Sequence, residues 1–226
     1  MDFLLEKHGF YIRKNILTSE DIESIDYIDK FEEYPYSVIE DSKYSNVKIG
    51  FEDKIITEAR RYRFKDYKVI MKKVFHKPAF IGAHEPYHQD FFYKQHHGYD
   101  SDSFIQCFVA LDDLDKAPLT VFCGSHLLGV QPHVPVLERD GKAKYVVAPD
   151  ILEKYSIHML TIDWLKKGDA IFFDYNLIHG SASNASDKKQ KRMIVEMCDK
   201  EIKTMNHGED RRKFEKSVLQ SMLKEK

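Results

Sequence analysis

A mainly β fold with flanking helices, a sandwich or barrel rather than a doubly wound α/β sheet, is what this sequence predicts. Three observations carry the prediction. Apolar and β-branched runs recur at Tyr67 to Phe75, Phe104 to Leu111, Leu119 to Cys123, Asp169 to Leu177 and Arg192 to Cys198. Turn signals such as Gly124 and Gly168 stand between them, and short strands separated by turns favour closure into a sandwich or barrel. The chain has 226 residues, enough for one sizeable core, and β architectures of this size are routinely single domains.

The remaining elements follow in order. Phe10 to Ile16 has the composition of a short strand. Thr18-Ser19-Glu20-Asp21 offers an N-cap with acids in the first turn, and Ile22, Ile25 and Ile28 recur at helical spacing, so a helix is predicted over Ser19 to Phe31. Phe51 to Tyr62 predicts a second helix. Gln131 to Lys167 shows no clear period; a segment of that length is expected to be a substrate lid or to hold short strands. Gly208 to Lys226 is rich in helix formers and predicts a C-terminal helix on the outside. The expectation is one domain, 1–226, with N-terminal helices over about 1–65, a β core over about 66–200 and the last helix over about 208–226.

Composition narrows the function classes. Hydrophobic residues make up 42% and charged residues 32%, the balance of a water-soluble domain, and the net charge of −2 creates no strong field of one sign. No nucleic-acid or membrane partner is therefore expected, and a small-molecule substrate is. The N-terminal residues lack the basic and apolar regions of a secretory signal, and no apolar run approaches the roughly 18 residues of a membrane helix. Cys107, Cys123 and Cys198 are odd in number and far apart. That argues against a disulfide framework and for a reducing, cytoplasmic setting.

The residues with chemistry lie in four places. Tyr87-His88-Gln89-Asp90 puts an imidazole and a carboxylate two residues apart, on one side of an extended chain. Leu177-Ile178-His179-Gly180-Ser181 brings a second histidine far downstream. Two histidines and one carboxylate can occupy one face of a metal and leave the opposite positions open, the geometry of non-heme iron(II) sites. With eleven histidines in the chain, one His-x-Asp pair is weak evidence by itself. The same donors could hold zinc for hydrolysis, with Glu85 the available base, or the barrel could bind a ligand without turning it over. Ala117-Pro118 through Gly124-Ser125-His126 is a strand ending in a glycine turn. Gly168-Asp169-Ala170 is a turn feeding the run before His179. Arg192, thirteen residues after His179, is a cationic fork suited to a carboxylate.

The order of these pieces, from Gly9-Phe10-Tyr11 through Pro86-Tyr87-His88-Gln89-Asp90, Gly124-Ser125-His126, Gly168-Asp169-Ala170, His179-Gly180-Ser181, Asn184 and Ser186, resembles the phytanoyl-CoA dioxygenase family of 2-oxoglutarate oxygenases. The resemblance spans roughly Gly9 to Cys198. It implies a double-stranded β-helix (jelly-roll, cupin-like) core and Fe(II) on His88, Asp90 and His179, with 2-oxoglutarate and O2 as cosubstrates. It also implies hydroxylation of a C–H bond of a small metabolite with release of succinate and CO2. Ser181 and Arg192 would hold the far carboxylate of 2-oxoglutarate, with Lys188, Lys189 and Lys191 as alternatives to Arg192. Gln89, Lys73 and Phe108 would lie near the cosubstrate, and His126 would be structural. Iron halogenases of this fold have Ala or Gly in place of the carboxylate, so Asp90 implies hydroxylation, with desaturation or cyclisation open. The family's usual Asn-Gly is Ala117-Pro118 here, and its frequent tryptophan is Phe108. Tyr87, Phe91, Phe92, Tyr93, His96 and His97 flank the metal strand as pocket candidates or core. The substrate's identity and the oligomeric state are not written in the motifs.

Overall fold

The computed structural model describes residues 4–25, 50–63, 65–80, 84–95, 99–137 and 143–202. In chain order the elements are α1 (Leu5–His8), β1 (Phe10–Arg13), α2 (Ser19–Glu23), α3 (Glu52–Arg63), β2 (Tyr67–Lys77), β3 (Glu85–His88), β4 (Phe104–Ala110), β5 (Leu119–Phe122), β6 (His133–Leu137), β7 (Ala143–Val147), α4 (Pro149–Lys154), β8 (Met159–Ile162), β9 (Ala170–Asp174), β10 (His179–Ser181) and β11 (Gln190–Asp199). The strands form a five-stranded sheet in the order β1-β9-β4-β11-β2, a four-stranded sheet in the order β3-β10-β5-β8, and a β6-β7 hairpin. Pairing is antiparallel throughout. Two antiparallel sheets of non-sequential strands, packed face to face, make the jelly-roll core.

Burial explains why β4 and β9 read as continuous apolar runs rather than alternating ones. Every residue of both strands is buried. One face of the large sheet meets the small sheet, with Phe10, Phe108, Ile171, Phe173 and Ile194 packed against Leu119, Val121 and Ile162. The other face is covered by α3, where Ile55 and Ala59 pack with Tyr11, Cys107, Phe172 and Val195. Each large side chain so buried contributes roughly 1.5–3 kcal/mol, and a strand covered on both faces has no solvated side to alternate.

The short strand expected within Phe10 to Ile16 forms as β1, which pairs with β9 and joins the large sheet. Two expectations are corrected, the extent of α2 and the single strand over Asp169 to Leu177. α2 ends at Glu23: its capping box of Thr18 and Asp21 forms as the sequence suggests, but Ser24 Oγ donates to the Asp21 carbonyl at 2.6 Å, and such side-chain bonds compete with helix propagation. Residues 26–31 of the predicted helix lie outside the described residues, as do the helix over 208–226 and His96 and His97. Asp169 to Leu177 is not one strand. β9 stops at Asp174, whose carboxylate accepts from Asn176 N at 2.7 Å, and this Asx turn sends the chain across to the small sheet as β10. Of the two alternatives for Gln131 to Lys167, the short strands are present: among the described residues the segment holds β6, β7, α4 and β8. Among the described residues no helix is long and apolar enough to cross a membrane.

Candidate metal centre

The small sheet brings the predicted donors together. β10 pairs with β3 so that His179 stands directly opposite His88, and their rings lie 4.4 Å apart. Gly180 permits this. A Cβ there would meet the Glu85 carbonyl oxygen and the Tyr87 ring at 2.7 Å, so any side chain would drive β3 off β10. His88 ends its strand, Gln89 stays extended (φ −123, ψ 127), and Asp90 opens a 3-10 turn. The alternation expected of a strand therefore persists just far enough to turn Asp90 to the side of His88.

The donor atoms are oriented by their neighbours. His88 Nδ1 lies 2.8 Å from the Pro86 carbonyl and His179 Nδ1 lies 3.0 Å from the Leu177 carbonyl. In both rings Nδ1–H donates to a carbonyl two residues back, which leaves the Nε2 lone pair free. Those Nε2 atoms face Asp90, at 3.6 Å from Oδ1 for His88 and 3.7 Å from Oδ2 for His179. The three residues offer ligand atoms all within 4.8 Å of one another and could hold a metal ion. Bonds of about 2.1 Å to one ion put adjacent ligand atoms roughly 3 Å apart, so a small contraction would close the face. Asp90 Oδ2 is buried without a hydrogen-bond partner, an atom a cation would satisfy. The donor set thus fits a ferrous ion.

The electrostatics of Asp90 and His179 agree with that fit. Burial works to raise the Asp90 pKa, but His179, His88 and Lys94 overcome it and hold the carboxyl well below its usual range. Burial and the neighbouring His88 push His179 down to about 4. For His88, burial is outweighed by the hydrogen bond and charge of Asp90, and its pKa is raised. A carboxylate that stays ionised and an imidazole that stays neutral are the forms that bind a metal.

On the facing sheet, Arg192 is buried, its Cζ 5.5 Å from the Phe108 ring centroid. Its Nη2 donates to the Ala117 carbonyl at 3.1 Å and to Gln190 Oε1 at 2.6 Å, whereas Nε and Nη1 have no partner. Burial lowers its pKa to about 10, so the guanidinium remains charged at neutral pH. Lys188 and Lys189 are exposed, and Lys191 alternates to the other side of β11 from Arg192. Register places Lys73 opposite Ile194, and Ile194 opposite Phe108, so Lys73 and Phe108 share the inner face with Arg192. Ser181 is half-buried, two residues beyond His179.

Gln89 departs from its expected place near the cosubstrate. Lying between His88 and Asp90 it points to the opposite side. Its Nε2 donates to the Gly129 and Asn176 carbonyls at 3.0 and 2.5 Å, and its Oε1 accepts from Gln131 N at 2.7 Å. The amide is consumed in tying two loops to the metal strand. His126 is structural, as the resemblance implies: its Nε2 lies 3.1 Å from the Glu6 carbonyl, and neighbouring Ser125 Oγ accepts from Ile178 N at 2.8 Å, one residue before His179.

Sequence reasoning missed three positions. Lys77, which follows Lys73 on the same face of β2, is buried and donates to the carbonyls of Ser181 (3.3 Å) and Ala182. His133 of β6 accepts from Gln89 N at 3.3 Å and stacks on Phe92, ring centroids 4.1 Å apart. Lys144 of β7 donates to both oxygens of Glu85 at 3.1 Å. The parity of Lys77 with Lys73 was a readable signal. The other two sit on a hairpin with no sequence signature. Of the aromatic candidates, Tyr93 lines the cleft beside His88 and Asp90, Phe91 belongs to a core cluster, and Tyr87 packs edge-on against Phe122.

Fold and donors together define a jelly-roll protein with a two-histidine, one-carboxylate metal face. The family described as phytanoyl-CoA dioxygenase (PhyH) matches residues 52–193. The chain belongs to this family of iron- and 2-oxoglutarate-dependent oxygenases. Nothing among curated proteins matches. Among solved structures, similar folds include EvdO2 from Micromonospora carbonacea var. aurantiaca complexed with 2-oxoglutarate (15% identity, 86% of this chain and 88% of that one, TM-score 0.66). Others are EctD from S. alaskensis with 2-oxoglutarate and 5-hydroxyectoine (17%, 86% and 73%, 0.59) and the epimerase SnoN in complex with Fe3+, alpha ketoglutarate and nogalamycin RO (16%, 86% and 80%, 0.58).

Proposed function

We propose that this chain is a cytoplasmic hydroxylase of a small metabolite. His88, Asp90 and His179 hold Fe(II), and Arg192 and Ser181 bind the far carboxylate of 2-oxoglutarate. The observation that carries the reading is the buried guanidinium edge of Arg192. Two of its nitrogens are unpartnered on the sheet face opposite the metal donors. A buried charge left unpaired is costly, and a bidentate carboxylate is the partner its geometry suits. The three free cysteines suit a reducing compartment.

Iron(II) and 2-oxoglutarate supply, when bound, oxidative decarboxylation by O2 to succinate and CO2, and with it the power to take hydrogen from a C–H bond. The chain supplies position. Pro86 and Leu177 fix the imidazole orientations. Lys77 pins the Ser181 and Ala182 carbonyls and so the end of β10. Phe108, Phe173 and Ile194 pack in the buried core between the sheets, with Phe108 beside Arg192 and Phe173 beside His179. Asp90 occupies the position a halide would need, which supports hydroxylation over halogenation.

The test is anaerobic addition of Fe(II) and 2-oxoglutarate to metal-free protein, followed by the weak visible charge-transfer band of the chelate. Wild type is expected to show the band and His179→Ala to lose it. Arg192→Ala is expected to bind 2-oxoglutarate more weakly by roughly 2–5 kcal/mol, the usual cost of truncating one partner of a buried charge pair. A folded, metal-binding protein without the band would overturn the reading. Product analysis across a metabolite panel then separates hydroxylation from desaturation and cyclisation.

A further inference from the structure

The three metal donors are not held alike. His88 and His179 face each other across a ladder, and a carbonyl two residues back fixes each ring. Asp90 lies past the end of β3, in the 3-10 turn Asp90–Tyr93, and its Oδ2 has no hydrogen-bond partner. Its place therefore follows from whatever holds that turn. Backbone bonds hold it locally: Phe91 N donates to the Tyr175 carbonyl at 2.9 Å, and Lys94 N donates to the Phe91 carbonyl at 2.8 Å. A side chain adds a tie to the far sheet. Lys94, which closes the turn, is buried, and its Nζ donates to Glu196 Oε2 at 3.2 Å.

Glu196 belongs to the large sheet. On β11 it follows Arg192 and Ile194 at two-residue steps, so it shares their inner face, opposite Gln106 of β4. The ladder between β11 and β2 slips register directly after it, an irregularity of the kind that re-aims side chains next to functional sites. Lys94 Nζ also stands 5.1 and 5.6 Å from the centroids of the Tyr175 and Phe104 rings, where cation–π attraction favours its direction. A buried ion pair is a poor source of stability, because desolvation offsets the attraction and apolar residues of similar volume commonly hold a core as well. Its location, from the carboxylate turn to the opposite sheet, gives this pair another use. We propose that Lys94 and Glu196 form a strut across the sandwich that sets the Asp90 carboxylate at the metal. Both are positioning residues, and the proposal rests on the metal reading of His88, Asp90 and His179. The field of Lys94 by itself would work against a bound divalent cation, since like charges repel; the strut contributes through geometry.

That difference of sign makes the test. Metal-free wild type, Lys94→Met, Glu196→Gln and the double variant Lys94→Met/Glu196→Met are titrated with Co(II). Affinity and the visible ligand-field spectrum are read together, with Asp90→Ala as the reference for a site lacking the carboxylate. Lys94→Met and Glu196→Gln are each expected to bind Co(II) roughly 10–100-fold more weakly, with spectra shifted toward that of Asp90→Ala. The double variant leaves no unpaired buried charge and so guards against loss of folding in Lys94→Met; it is expected to bind as weakly as the single variants. Tighter binding in Lys94→Met with weaker binding in Glu196→Gln would mean that the pair acts only through its field, and would overturn the strut. So would wild-type affinity and spectrum in the double variant, because the pair would then be one way among others of filling the core. If wild type binds no Co(II), or His179→Ala binds it equally well, the metal reading itself fails and the strut with it.

Discussion

Gly180 has no side chain because β3 passes within contact of its Cα side, and that approach is what sets His88 against His179. Gly180→Ala is expected to lower metal affinity by roughly 10–100-fold, the scale seen when the support of a ligand is disturbed, while the large sheet stays folded. Titration with Fe(II) or Mn(II) measures it, and unchanged affinity would mean that the β3–β10 contact does not position the donors. His133 supports the same strand from the other side. Its pKa is held at about 4, below the ordinary 6.5, by burial, with the nearby His88 adding to the effect. A histidine depressed in the folded state stabilises that state above pH 6.5, and the contribution is lost as the pH falls toward and through 4. Urea unfolding of metal-free protein at a series of pH values should therefore show a shallower acid loss for His133→Gln than for wild type. Equal slopes would remove His133 from the account.

At the scale of elements, the corner between β9 and β10 decides where the distal histidine goes. A single apolar run in the sequence becomes two strands in different sheets because Asp174 caps an Asx turn and Arg63 of α3 pairs with its carboxylate. The Gly-Ser-His segment holds the far side of that corner. Ser125→Ala would leave the buried Ile178 N–H unpaired and is expected to cost about 1–3 kcal/mol of stability. A denaturant midpoint with an unchanged m-value checks it, and a neutral result would show that water replaces the hydroxyl. The β6-β7 hairpin is the other deciding element. It carries Lys144 and Tyr145 to the cleft and His133 to Gln89 and Phe92, and its residues show no period long enough to announce two strands. Pro135 removes one backbone N–H from β6, and among the described residues the two strands pair only with each other, so alternation against a core was never imposed on them.

For the whole molecule, the two sheets are braced by one inner core, and the metal face and Arg192 belong to opposite sheets. Ligands that bridge them bind the folded state alone. Fe(II) and 2-oxoglutarate together, each at about 100 times its dissociation constant, are expected to raise folding stability by roughly 2.7 kcal/mol per ligand. The rise in melting temperature should shrink in Arg192→Ala for 2-oxoglutarate but not for metal. Equal shifts in both proteins would separate Arg192 from the cosubstrate. The sequence by itself determined the strands whose two buried faces make them continuously apolar, the His-x-Asp pair whose two-residue spacing survives any extended backbone, and the order of motifs that marks the family. These are local properties, set by a residue and its near neighbours along the chain. Only the tertiary structure decided that Gln89 turns away to clamp loops. It also decided that His179 faces His88 across a ladder, that Arg192 rather than a neighbouring lysine is buried, and that Lys77, Glu85 and Lys144 meet beside the metal donors. Those outcomes depend on which strands become neighbours, and pairing between residues a hundred positions apart leaves no period in the sequence.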